Sequence, residues 1–177
     1  AKLNENLKDN RIVIQGFGNV GRYLAYELFN RDNAKIIAIG EYNGVLYNEN
    51  GIDINKLIEC VLFKKTIENN ELGKFIKNPK EIVELECDIL IPAALEGVIN
   101  KDNVEKVKTK LIVEAANGPI DPESDKILFN KGITVLPDIY VNAGGVIVSY
   151  FEWVKNLSHI RFGRMEKRYQ EHKLLEL

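Results

Sequence analysis

The run Ile12 to Gly21, IVIQGFGNVG, constrains this chain more than any other stretch. Ile12 to Gln15 is mostly apolar and β-branched, the composition of a buried parallel strand. Gly16, Gly18 and Gly21 follow at the spacing GxGxxG. After Gly21 the run RYLAYELFN has helical periodicity, with Leu24, Ala25, Leu28 and Phe29 on one face. Strand, glycine turn and helix, in that order, are the context a dinucleotide fingerprint requires. Gly16 permits the tight turn out of the strand, Gly18 admits a pyrophosphate where a Cβ would stand, and Gly21 lets the helix pack closely on the strand. The helix start then offers its N–H groups and the positive end of its dipole to the phosphates. Phe17, Asn19 and Val20 join the three glycines as candidate cofactor-binding residues.

A second feature stands where this reading needs it. Lys35 to Gly40, KIIAIG, reads as another buried strand, and Glu41 follows 20 residues beyond Gly21. An acid at that place bonds the adenosine ribose hydroxyls. The alternative is a glycine-punctuated βαβ unit with a solvated glutamate at a strand end. Glu41 favours NAD over NADP, because its carboxylate repels a 2′-phosphate and no Arg or Lys stands in Tyr42 to Gly44.

With 177 residues the chain reads as one domain with a tail, and a domain of that size buries about 70% of its unfolded surface. A net charge of −2 implies no general affinity for nucleic acid. Cys60 and Cys87 make no disulfide framework, so a reducing compartment is expected. No apolar run approaches the roughly 20 residues of a membrane span, and no signal or transit peptide is visible at Ala1. The opening AKLNENLKDN reads as the polar end of a preceding helix or a linker, placing a domain boundary within residues 1–10.

Further along, YNGVLYNENG is turn-rich, and Asp53 or Asn55 caps a helix to Phe63 with Ile54, Leu57, Ile58, Val61 and Leu62 as its stripe. Thr66 to Asn78 reads as irregular. Cys87 to Ile91, Leu111 to Glu114 and Ile133 to Leu136 read as strands, and Asp102 to Lys108 as a short polar helix. Asp121-Pro122 opens a helix to about Asn130. Asn142 to Asn156 reads as the last helix of the domain, with Val146, Ser149, Tyr150 and Trp153 on one face, and residues 157–177 read as a charged terminal helix or tail. Strands alternating with helices predict an α/β chain with a doubly wound, mostly parallel sheet over 11–156.

Ligands of such sheets bind beyond the carboxyl ends of the strands, which adds Ala93, Ala94, Asn117 and Asn142 to the candidates. The small Ala93-Ala94 pair either lets a ribose or diphosphate lie against backbone or forms a tight turn after Pro92. Asn117 is either a turn residue before Gly118 or a partner of the nicotinamide ribose or amide. Asn142 is either an N-cap or a partner of the nicotinamide amide. Ser149 is either back-bonded in its helix or aimed into a cleft. His159 and His172 lack ligand company, so no metal is expected. Tyr169 and Lys173, spaced YxxxK, read as solvated.

The chain resembles the glutamate dehydrogenases, specifically their cofactor-binding domain, from about Arg11 to at least Gly163. The resemblance rests on QGFGNVG, CDILIPAA, EAANGP and PDIYVNAGGVIVSYFEWVKN, and NLSHIRFGR is closer to the eukaryotic hexameric branch. It implies a Rossmann-like fold, NAD or NADP as cofactor, oxidative deamination of L-glutamate to 2-oxoglutarate and ammonia, and a homo-hexamer in the mitochondrial matrix or cytoplasm. It also implies that Phe17 to Val20 line the diphosphate and that Ala94, Asn117 and Asn142 border the ribose and nicotinamide. Val146 and Ser149 would face the glutamate side chain. Val98 departs from relatives with a polar residue there. In the family the catalytic lysine and aspartate lie in a separate N-terminal domain, so this stretch is expected to hold half a cleft, to contain no catalytic residue, and to bind dinucleotide weakly without turnover. The rivals are a leucine, phenylalanine or valine dehydrogenase domain, whose site wants an apolar wall at Ser149, and a non-catalytic NAD-binding module.

Overall fold

A computed structural model of the chain describes residues 6–69 and 71–157. Its strands are β1 (Arg11–Gln15), β2 (Lys35–Glu41), β3 (Gly44–Tyr47), β4 (Lys74–Ile76), β5 (Ile89–Pro92), β6 (Leu111–Val113) and β7 (Thr134–Leu136). They form one seven-stranded sheet in the order β4-β3-β2-β1-β5-β6-β7. β1 pairs in parallel with both β2 and β5, and β5, β6 and β7 continue in parallel. β3 and β4 add an antiparallel edge beside β2. The strand order therefore reverses at β1, and the crevice beyond its carboxyl end is the place where such sheets hold ligands.

The helices are α1 (Asn19–Asp32), α2 (Ile54–Lys64), α3 (Pro122–Asn130), α4 (Asp138–Val141) and α5 (Ala143–Leu157). Ile12, Ile14, Ile36 and Ile39 point to one face, where Ala25 and Leu28 of α1 and Leu57 of α2 meet them. Val13, Ile37, Leu90 and Ile112 point to the other, against Leu128 of α3 and the 3-10 turn Pro79–Glu84. Alternation along each strand thus builds two cores, one on each side of the sheet. A register shift between Ile12 and Val13 lets Ile37 and Ala38 both face the second core.

Caps follow the expected chemistry. Asp53 accepts the N–H of Lys56 at the start of α2, and Asp121 accepts those of Glu123 and Ser124 ahead of Pro122. Several expected elements differ. Tyr42-Asn43 closes a tight hairpin, so the turn-rich stretch contains β3, and the supposedly irregular 66–78 contains β4. Both strands are short, and their turn residues mask the pattern. Residues 102–108 hold only a 3-10 turn at Val104–Lys106, since Val104 is the one buried side chain in that turn. Leu62 lies on the exposed side of α2, and Cys60 takes the buried place.

The chain divides into two compact units, 1–142 and 143–177. The second begins with α5, on which Val146, Phe151 and Trp153 are exposed. No helix among the described residues is long and apolar enough to cross a membrane. The expectations for His159, His172, Tyr169 and Lys173, and for the tail from 158 on, lie outside the described residues.

Asp88 ties the amino ends of three strands. Its carboxylate accepts the Arg11 N–H at 2.8 Å and pairs with Lys110 at 2.7 Å. Burial pushes this carboxyl up, but the Lys110 and Arg11 contacts more than offset that and hold it below its ordinary 3.8. Its stabilisation is therefore full above the ordinary value and is lost as pH falls through the lower folded one. Asp88→Asn is expected to cost about 1–2 kcal/mol at neutral pH. Urea denaturation of both proteins across the acid range should show that gap closing as pH falls; a gap independent of pH would refute the assignment.

Candidate nucleotide site

At the carboxyl ends of β1, β2 and β5 the fold leaves a cleft of about 760 Å³, lined by Gln15, Gly16, Glu41, Ala94 and Val98 among others. Gly16, the first residue of the glycine turn, is part of its lining. Gly16 has φ +99°, and a Cβ there would lie 2.7 Å from the Ala94 Cβ, so the turn after β1 and the one after β5 touch. Gly21 sits so close beneath that a Cβ would stand 2.0 Å from the Gly16 carbonyl oxygen. Gly18, by contrast, faces open space, with no atom within 4 Å of a built Cβ. No side chain caps α1 at Gly18, and Asn19 and Val20 are exposed beside it. The start of the helix is thus bare, with room over it for an anion.

Glu41 lies beside this turn. One carboxylate oxygen accepts the Phe17 N–H at 2.5 Å. The side chain is half-buried, and its other oxygen has no partner among the described residues. Phe17 itself is 3% exposed, and its ring packs into the first core. Lys80 and Lys106 also line the cleft; Lys106 is paired with Glu84 at 3.0 Å, whereas Lys80 has no acidic partner among the described residues. Val98 packs against the second core while lining the cleft.

Beyond β6 and β7 a second group gathers. Asn142 donates its side-chain N–H to Asn117 Oδ1 at 2.7 Å, joining two candidates 25 residues apart. Asn142 does not begin a continuous 142–156 helix. It closes α4 with its N–H on the Asp138 carbonyl, and α5 starts after it. The Gly118 N–H donates to Asp138 Oδ2 at 2.9 Å, and the Asp138 N–H to Glu114 Oε2 at 2.8 Å. Glu114 is 8% exposed. Burial pushes its carboxyl above the ordinary range, the Asp138 N–H offsets only part of that, and the Asp138 and Asp125 charges push further up. Sequence reasoning passed over Glu114 and Asp138, taking the first as the end of a strand and giving the second no role. A charge closing the apolar run LIV was the available hint.

Ala93 is half-buried and Ala94 exposed after β5, in contact range of Gly16. Val146 and Ser149 are both exposed on α5, in the second unit. Cys87 is buried near Asp88, and burial drives its thiol up to about 11 despite a hydrogen bond from Thr109, which leaves it a protonated core residue.

The model of the family described as Glutamate/Leucine/Phenylalanine/Valine dehydrogenase matches residues 1–173. The chain is 49% identical to the mitochondrial glutamate dehydrogenase of Dictyostelium discoideum over 96% of its own length and 34% of that protein's. It is 48% identical to the NADP-specific glutamate dehydrogenase of Saccharolobus shibatae, over 86% of this chain and 36% of the relative. Among solved structures, the leucine-bound hetero-hexameric glutamate dehydrogenase of Thermus thermophilus is similar at a TM-score of 0.78 and 29% identity, covering 93% of this chain and 38% of that one. The chain thus spans about a third of the length of the curated relatives it matches.

Proposed function

The chain belongs to the Glutamate/Leucine/Phenylalanine/Valine dehydrogenase family, and from that premise we propose that the whole protein is a glutamate dehydrogenase whose nicotinamide cofactor is held by this part of it. The observation that carries the reading is the uncapped start of α1 beside the Glu41 carboxylate. Open space over Gly18 suits a diphosphate, and the unpartnered oxygen of Glu41 suits a ribose hydroxyl. The Asn117–Asn142 pair would border the nicotinamide ribose and amide, with Ala93 and Ala94 giving close backbone approach on the other side. When bound, the nicotinamide ring supplies hydride-accepting chemistry. This chain's residues bind and orient it, and Val146 and Ser149 would face the glutamate side chain.

The names of the relatives support glutamate as the substrate, with 2-oxoglutarate and ammonia as products of its oxidative deamination. Glu41 supports NAD as the preferred cofactor. Lys80 on the same cleft and an NADP-specific relative support tolerance of NADP. A homo-hexamer is the proposed assembly, in line with the hexameric neighbour. Mitochondrial matrix and cytoplasm both fit, the first being where one relative's name places it.

Calorimetric titration of residues 1–177 with ADP, NAD and NADP tests the site: ADP and NAD should bind with the nucleotide in a 1:1 ratio, and NAD more tightly than NADP. No binding of ADP would overturn the nucleotide reading. For the whole protein, steady-state assay should show glutamate oxidised in preference to leucine, and the reverse order would favour the branched-chain rival.

A further inference from the structure

Asn117 and Asn142 lie on separate elements; Asn117 is exposed, and its neighbour Gly118 has φ +51°. One residue touches the backbone next to both. Asp138 accepts the Gly118 N–H through Oδ2 at 2.9 Å and the Asn142 N–H through its carbonyl at 2.9 Å. The ring is completed by the Asn142 side chain on Asn117 Oδ1. Asp138 is itself fixed, because its N–H donates to the buried Glu114 carboxylate at 2.8 Å. Glu114 is anchored in turn by its own N–H on the Leu136 carbonyl at 3.1 Å. The Gly118 carbonyl accepts the Gly97 N–H at 2.9 Å, which joins this ring to the wall of the cleft.

We propose that Asp138, held by Glu114, is a positioning residue that sets the spacing and direction of the Asn117 and Asn142 amides, and thereby grips the nicotinamide half of the dinucleotide separately from the adenosine half. The inference rests on the nucleotide reading above. It goes beyond it in assigning a role to two carboxylates that need touch no ligand. Their function is geometric: a charged acceptor holds a backbone N–H more strongly than a neutral one, and a pre-set amide loses less freedom when a ligand arrives.

The test compares ADP, which reports the adenosine half, with NAD, in the full chain carrying Asp138→Ala or Asp138→Asn. Asp138→Ala should weaken NAD about tenfold and leave ADP within twofold, since a charge-assisted hydrogen bond is lost only on the nicotinamide side. Asp138→Asn keeps a neutral acceptor and should fall between wild type and Asp138→Ala. Amide hydrogen exchange at Gly118 should quicken in the same order. Glu114→Gln keeps an acceptor for the Asp138 N–H but not its charge, so it should weaken NAD in the same sense as Asp138→Asn and leave ADP within twofold. An NAD-to-ADP affinity ratio equal to wild type in both Asp138 variants, or in Asp138→Asn alone should Asp138→Ala not fold, overturns the proposal. An equal fall in ADP and NAD also overturns it, since that would mark a general structural role. A wild-type chain that binds neither ligand overturns the nucleotide reading itself, and this inference with it.

Discussion

Gly21→Ala is expected to destabilise the 1–142 unit by about 3 kcal/mol or more, at or beyond the upper end of what overpacking usually costs. The added Cβ would stand 2.0 Å from the Gly16 carbonyl oxygen and 2.9 Å from its carbonyl carbon. Both are backbone atoms, so no rotamer change relieves the clash. Gly16 has little room to retreat, because its N–H is bonded to the Gly40 carbonyl and Ala94 lies against it. α1 must move off β1, and the Ala25 and Leu28 contacts with the first core loosen with it. Gly18→Ala is the matched control. Its backbone, at φ −72°, accepts alanine, and nothing lies within 4 Å of the new methyl. Its denaturation midpoint should be unchanged while ADP affinity falls at least tenfold, because the methyl stands where the diphosphate approaches. Equal urea midpoints for Gly21→Ala and wild type would refute the packing account.

Glu41→Ala is expected to weaken NAD by about tenfold or more, the worth of one charge-assisted hydrogen bond to a ribose hydroxyl. NADP should be affected far less, since the carboxylate lost is also the one that repels a 2′-phosphate, so the preference for NAD should vanish or invert. The substitution also leaves the Phe17 N–H without its acceptor. Glu41→Gln separates the two effects: its amide oxygen can still accept that N–H, but it carries no charge. Parallel titrations with NAD and NADP should show Glu41→Gln losing cofactor discrimination with a smaller loss of NAD affinity. An NAD-to-NADP ratio unchanged in both variants would remove Glu41 from the ribose.

The parts of the fold legible in advance were those set by neighbours in the chain. β1, the glycine turn and α1 were readable because apolar alternation, φ freedom and helical periodicity act over a few residues. The cap at Asp121 was readable for the same reason, and Asp53 was one of two residues offered for the cap of α2. β3 and β4 were not, because they are set among turn residues and exist only by pairing with β2 or with each other. Helix propensity in 102–108 yielded to burial of Val104 and Val107 beneath the sheet.

The candidate site divides the same way. Its position beyond the carboxyl ends of the strands follows from strand–helix alternation, and its residue types were visible in GFGNVG, Glu41 and EAANGP. The partners were not. Phe17 is spaced like a ligand residue, yet its ring is core, and its N–H belongs to Glu41, 24 residues on.

By itself, then, the order of residues determined the βαβ start, the helix caps and the class of sheet, because each is decided by local geometry and by which face is apolar. Tertiary structure alone decided which strand ends became neighbours. Placing β5, β6 and β7 side by side put Glu114, Asn117, Asp138 and Asn142 within hydrogen-bond reach of one another. A hydrogen bond depends on ångström distances between atoms far apart along the chain, and no local pattern in the sequence carries that information.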